Sequence, residues 1–207
     1  MNQKNSLGLN SCFMDLDDPL ELFKIWMNEA KKKEIRDTTS SSLATANKAG
    51  QPDVRMVLLK ELSPKGFVFY TNFNSPKSHD LKKNPKAAMC FHWKSFNRQI
   101  RILGSVIQVD DRQADLYFKS RLYESRISAW ASDQSNSMKE RSELLKKVED
   151  FKKKYKNEKN VPRPSYWSGW CLKPSTIEFW LHKDNRIHER LRYHKTTNGW
   201  EKEILYP

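Results

Sequence analysis

Residues 41–62 read SSLATANKAGQPDVRMVLLKEL, and the class of the whole chain turns on this stretch. Ser41–Asn47 and Val54–Leu62 are short runs with no helical spacing of apolar residues. Between them Lys48–Pro52 carries the glycine and proline of a turn. The reading is strand, turn, strand. Downstream, GFVFYTN (66–72), KAAMCFHW (86–93) and RQIRILGSVIQVD (98–110) extend the pattern. TIEFWL (176–181), RIHERLRYH (186–194) and WEKEILYP (200–207) close it, joined by turns at Asp184–Asn185 and Asn198–Gly199.

Helices interrupt these strands. Upstream, Asp18 is a cap, Pro19 stands at the first helical position, and Leu20, Phe23, Met27 and Ala30 form one apolar stripe. Ser75, Pro76 and the stop at Pro85 outline a short helix, and 112–121 and 123–132 suggest two more. Ser137 and Glu140 have the spacing of a capping box, which predicts a longer helix from Ser137 with Leu144, Leu145, Val148, Phe151 and Tyr155 turned inward. The expected fold is mainly β with peripheral α-helices, a closed or nearly closed barrel. Residues 1–16 are expected to form a flexible polar arm, and 17–207 a single domain.

Lys and Arg number 38 against 25 Asp and Glu, a formal charge of +13. A nucleic-acid partner is not expected, because the lysine-rich 146–160 interleaves acids as a solvated helix face does. No apolar segment has the length of a bilayer span or of a leader's core, so no membrane partner is expected and the expected location is cytoplasmic. Cys12, Cys90 and Cys171 are widely spaced, which argues against a disulfide framework and a metal site.

The cations cluster in a way that suits an anionic ligand. Arg55 and Lys60 flank an apolar run, although solvated strand ends look the same. Lys77 lies at a helix start, where free N–H groups attract phosphate; an ordinary capped helix with an exposed lysine fits equally. Tyr117, Arg121 and Ser125 recur every fourth residue and share a face if the helix runs through all three. On a strand, Arg186, His188, Arg190 and Arg192 form one row, with Ile187, Leu191 and Tyr193 behind it. Six glycines form no phosphate-cradling loop, and no protein nucleophile motif is present, which suits an enzyme whose cofactor does the hard chemistry.

RMVLLK, FVFYTN, SPKSHDL, RQIRILG, YFKSR, SRISAWASDQS, PSYWSGW, IEFW and RIHER, in this order, resemble the pyridoxine (pyridoxamine) 5′-phosphate oxidase family from about Asp18 to Pro207. The resemblance implies an FMN-binding split β-barrel that forms a homodimer with FMN at the interface. Its FMN contacts would be Arg55, Met56, Val57, Leu58, Lys60, Tyr70, Thr71, Lys77, Gln99, Gln134, Ser135, Trp180 and Arg190. Lys60, Tyr117, Arg121 and Ser125 would hold the substrate phosphate, with Arg186 and His188 as catalytic groups over its ring. The implied reaction is oxidation of pyridoxine 5′-phosphate or pyridoxamine 5′-phosphate by O2 to pyridoxal 5′-phosphate, releasing H2O2, and NH3 from the amine. A different flavin split-barrel reductase or a flavin carrier is the alternative. One position departs from the family pattern: Pro76 stands where an arginine on the FMN phosphate is usual.

Overall fold

The computed structural model describes residues 5–34, 37–157 and 160–207. Residues 1–4 of the expected arm, Ile35 at the end of the first expected helix, and 158–159 of the lysine-rich stretch lie outside the described residues.

Nine strands make one sheet: β1 (Ser40–Ala46), β2 (Pro52–Leu58), β3 (Glu61–Ser63), β4 (Gly66–Asn72), β5 (Lys86–Trp93), β6 (Arg98–Gln108), β7 (Trp167–Leu181), β8 (Glu189–Thr196) and β9 (Gly199–Ile204). Every pairing is antiparallel, in the order β2-β1-β5-β6-β7-β4-β3, with β8 and then β9 added on β7. β2 and β3, the two ends of the seven-strand path, are consecutive in the chain. Between them Leu59 N–H donates to Thr39 O (2.9 Å) and Lys60 N–H to Val68 O (2.8 Å), so the sheet curls until its edges nearly meet. The expected barrel is present.

β7 is the backbone of the curl. Its first half pairs with β4, its second half with β8, and β6 runs along its other side. The sequence suggested only 176–181 as strand here, because Ser168, Gly169 and Pro174 resemble loop residues. Pro174 is tolerated at a register shift opposite Gly104. A Cβ on Gly104 would sit 1.9 Å from Lys173 O, so only glycine permits that approach.

Helix α1 (Pro19–Lys33) begins as expected, with the Asp18 side chain accepting from Leu20 N. Its buried face is Leu22, Phe23, Trp26, Met27 and Ala30, and Phe23 meets Phe67 edge to face at 4.9 Å. Helices α2 (Pro76–Lys83), α3 (Asp111–Ser120), α4 (Tyr123–Ala131) and α5 (Arg141–Lys154) lie outside the curl.

Four expectations need correction. Residues 5–16 pack on the core: Phe13 is fully buried against Trp26 (5.4 Å), Trp26 Nε1 donates to Cys12 O (2.7 Å), and Tyr193 Oη donates to Leu16 O (2.9 Å). Two apolar side chains, Leu9 and Phe13, were enough to anchor a stretch that reads as polar. Secondly, α5 starts at Arg141 and not at Ser137. Residues 133–136 make a turn with Ser135 left-handed (φ 69°), and the Asp133–Lys147 ion pair ties that turn to the helix. No described residue of α5 is fully buried, and Leu145 is exposed. Thirdly, Tyr117, Arg121 and Ser125 do not share one helix, because the chain leaves helical geometry at Arg121 and Leu122. Fourthly, the row of four cations is broken. Asp184–Arg186 is a 3-10 turn in which Asn185 and Arg186 are left-handed, so β8 starts at Glu189 and only Arg190 and Arg192 of the row stand on it.

Alternation fixes what each sheet face carries. Ile100, Ile102, Ile177, Phe179, Leu191 and Tyr193 point into the core. The neighbours on the other face are Gln99, Arg101, Glu178, Trp180, Arg190 and Arg192.

Candidate functional site

A cavity of about 310 Å³ opens where β4 and the start of β7 meet helices α3 and α4. Lys60, Tyr70, Thr71, Tyr117, Arg121, Ser125, Gln134 and Leu58 all line it. The kink at Arg121–Leu122 is what lets α3 contribute Tyr117 while α4 contributes Ser125. Arg121 sits at the bend between them.

One wall is aromatic. Tyr70 stacks on Tyr117 (4.0 Å) and on Trp167 (5.3 Å). Gly169 permits this, since a Cβ there would lie 2.8 Å from the Tyr70 ring. Burial pushes the Tyr70 phenol up to about 12, so it remains a neutral donor. The Arg121 guanidinium lies 4.7 Å over the Trp167 ring, and its Nη1 is buried with no hydrogen-bond partner among the described residues. An arginine nitrogen in that state lacks an acceptor, and an anion in the cavity would supply one.

Lys77 makes the second anion demand. It is 7% exposed, and among the described residues its Nζ reaches only neutral oxygens: Ser75 Oγ (3.1 Å), Thr71 Oγ1 (3.3 Å) and Gln134 Oε1 (3.4 Å). Burial, and then the neighbouring Arg55, lower its affinity for the proton. Arg55 itself is held by Leu43 O (3.2 Å), Thr45 Oγ1 (2.8 Å) and the Asp53 carboxylate. Met56 and Leu58 are exposed on edge strand β2 while Val57 packs inward. Ser135 turns away and lines a neighbouring hollow with Asp133 and Lys147.

The remaining expected residues lie elsewhere. Gln99, Trp180 and Arg190 stand opposite one another on β6, β7 and β8. Tyr70 stands opposite Gly169, eleven residues down β7 from Trp180, at most about 36 Å along the strand. Arg190 clamps Glu178 Oε1 through Nε (3.0 Å) and Nη2 (2.9 Å), while Arg101 Nη1 takes Oε2 (3.3 Å). His188 packs against Trp180 (4.7 Å) and His182 (5.1 Å), and the exposed Arg186 follows the left-handed Asn185. Within one chain, therefore, the cavity and the His188 cluster are separate.

Sequence reading missed Asn72, Ser128 and Ser132 in the cavity, and Glu178 and His182 near Trp180. Asn72 and Ser132 carried no signal. Glu178 already lay inside the expected strand 176–181 and His182 lies just past the end of β7, so neither was marked by alternation; their contacts with Arg190 and His188 are what single them out.

Residues 27–155 match the family model described as pyridoxamine 5′-phosphate oxidase, and 167–207 match the pyridoxine 5′-phosphate oxidase C-terminal dimerisation region. A pyridoxine/pyridoxamine 5′-phosphate oxidase of Pelagibacter ubique is 58% identical over 208 residues, covering 100% of both chains. The structure of PhzG from Burkholderia lata, in complex with tetrahydrophenazine-1-carboxylic acid, superposes with a TM-score of 0.89 at 26% identity, covering 95% of this chain and 96% of that one. A pyridoxamine 5′-phosphate oxidase-related FMN-binding protein from Nostoc punctiforme superposes with a TM-score of 0.72 at 17% identity, covering 94% of this chain and 100% of that one. The fold is thus that of the flavin-binding split barrels.

Proposed function

The chain belongs to the pyridoxamine 5′-phosphate oxidase family, and we propose that it oxidises pyridoxine 5′-phosphate or pyridoxamine 5′-phosphate at C4′ with O2. The products are pyridoxal 5′-phosphate and H2O2; the amine also consumes water and releases NH3. The observation that carries this reading is the cavity in which Lys60, Tyr117 and Ser125 surround an arginine, Arg121, with an unpartnered buried nitrogen. A phosphate dianion fits that donor set, and Arg121 can meet it with two parallel N–H groups.

The chain's residues also fit FMN. Lys77, buried among Thr71, Ser75 and Gln134, offers a cation without a carboxylate partner for a flavin phosphate. Arg55 adds positive potential beside it. When bound, FMN supplies the two-electron acceptor that O2 then reoxidises.

Substrate phosphate binding at Arg121 and Lys60 is remote from the reacting carbon, so its free energy serves to hold C4′ in place. Arg186 and His188 do not line the cavity of their own chain, which lies toward the other end of β7. The match of 167–207 to a dimerisation region supports a homodimer in which a second copy's Gln99, Trp180, Arg186, His188 and Arg190 complete the site. There Arg186 would orient the pyridine ring, and His188 would hold a proton at Nε2. Residues 5–207 act in this reading as one domain.

The likeness to PhzG, whose structure holds tetrahydrophenazine-1-carboxylic acid, supports a second reading, a site that takes a phosphate-free carboxylic acid. One experiment separates them: an anaerobic absorption spectrum of the FMN-loaded protein before and after adding pyridoxine 5′-phosphate. Bleaching that reverses in air is expected, with none from phosphate-free pyridoxine at equal concentration. A flavin that stays oxidised would refute the B6 reading.

A further inference from the structure

Three rings meet at the end of β7: Trp180, His182 and His188, with centroids 4.7 to 6.0 Å apart. We infer that His182 is a positioning residue which, with the Lys183 N–H, holds the His188 imidazole in one orientation and one tautomer. The inference rests on the proposed oxidase reading for the use made of His188, and on geometry alone for the arrangement.

The tautomer follows from the donors. Lys183 N–H donates to His188 Nδ1 at 3.2 Å. A backbone amide can only donate, so Nδ1 carries the lone pair and the neutral ring keeps its proton on Nε2. Protonating His188 would set two N–H groups against each other. The donor itself is fixed, because His182 N–H is bound to Asn97 O (2.9 Å), tying the segment to the start of β6. His182 then presents its ring to one side of His188, and Trp180 packs on it as well.

Charge acts the same way. The groups facing His188 are His182 and Lys183 from the end of β7, Asp184 and Arg186 from the turn, and Glu189 and Arg190 from β8. Lys183 Nζ is paired with Glu189 (3.7 Å) and Arg190 with Glu178, which leaves His182 and Arg186 as the neighbours acting on the ring. From the N-terminal segment and the C-terminal tail, Leu9, Ile204 and Leu205 add only apolar walls. Burial, then His182, then Arg186 push the imidazole below its ordinary range. The neutral Nε2–H form thus persists into mildly acid solution, ready to donate to a substrate oxygen or to exchange a proton there.

The test uses the FMN-loaded protein with His182→Gln, and His182→Asn as a second variant should the first fold poorly. Long-range 1H–15N spectra of His188 report tautomer and titration midpoint without any turnover. The variant is expected to raise the midpoint and to mix the tautomers. In kinetics the acid limb of kcat/KM should move to higher pH and kcat should fall roughly ten- to a hundred-fold, as small misplacements do, with KM and FMN content unchanged. A His188 whose tautomer and midpoint ignore residue 182 would overturn the inference while leaving the oxidase reading intact. Spectra that respond as expected in a wild-type protein with no oxidase activity would uphold the pair and overturn the reaction.

Discussion

Arg121 and Trp167 make the contact on which the cavity is organised: the guanidinium carbon lies 4.7 Å from the indole, leaving Nη1 buried and without an acceptor. An arginine parked on a ring is oriented by the stack but not neutralised by it. Arg121→Ala should therefore raise KM for the phosphorylated substrates roughly ten- to a hundred-fold, the equivalent of one charged hydrogen bond of about 1.5–3 kcal/mol. KM for a phosphate-free analogue should hardly change. An equal rise for both would show that Arg121 serves the ring and not the phosphate.

Lys77 is expected to separate cofactor binding from stability. Lys77→Met should weaken FMN retention about tenfold or more, read by fluorescence titration, while the FMN-free protein becomes no less stable. A lysine whose folded pKa is depressed binds fewer protons folded than unfolded. Its penalty is full at neutral pH and fades as pH climbs through the folded value toward the ordinary 10.5. The stability advantage of the methionine variant should shrink in alkaline buffer. An advantage that stays constant with pH would mean that the buried charge is not its origin.

Arg186 stands in left-handed geometry (φ 61°) after another left-handed residue, and the turn holds it outside the strand. Arg186→Ala should lower turnover by about a hundred-fold or more with FMN content unchanged, the signature of a group that orients the reacting ring. Flavin loss in proportion to activity would assign Arg186 to the cofactor instead.

At Pro76 the helix start contributes a fixed φ and no donor. Pro76→Arg should restore the charged contact that the family pattern implies there and tighten FMN binding about tenfold. Unchanged affinity would show that Lys77 and Arg55 already satisfy the phosphate.

Phe13 tests the N-terminal segment. Phe13→Ala should cost about 3–5 kcal/mol in urea denaturation, as for other buried aromatics. A change within roughly 0.5 kcal/mol would mean that residues 5–16 contribute no more than a surface segment.

Local chemistry in the sequence settled the helix start at Asp18–Pro19, the hairpin around Lys48–Pro52, the helix behind Ser75–Pro76, and the burial of Leu191 and Tyr193. Capping, turn residues and side-chain alternation act within a few positions, so they can be read without the fold. The same locality grouped Tyr117, Arg121 and Ser125 by spacing, and the family resemblance added Lys60 to them. Their meeting in one cavity, however, depends on a kink that repeating every fourth residue does not reveal. Tertiary structure decided the rest. Phe13 became core because Trp26 offered it a partner, and Pro174 entered β7 because Gly104 gave it room. The row from Arg186 to Arg192 was broken because two left-handed residues turned the chain before β8. His182 gained its place through a ring contact with His188, which alternation along β7 alone could not specify. Phe13 and Pro174 were settled by contacts between segments distant in the chain; His182 and the broken row were settled by the tight turn at 184–186, whose second left-handed residue, Arg186, the reading of a two-residue turn did not specify.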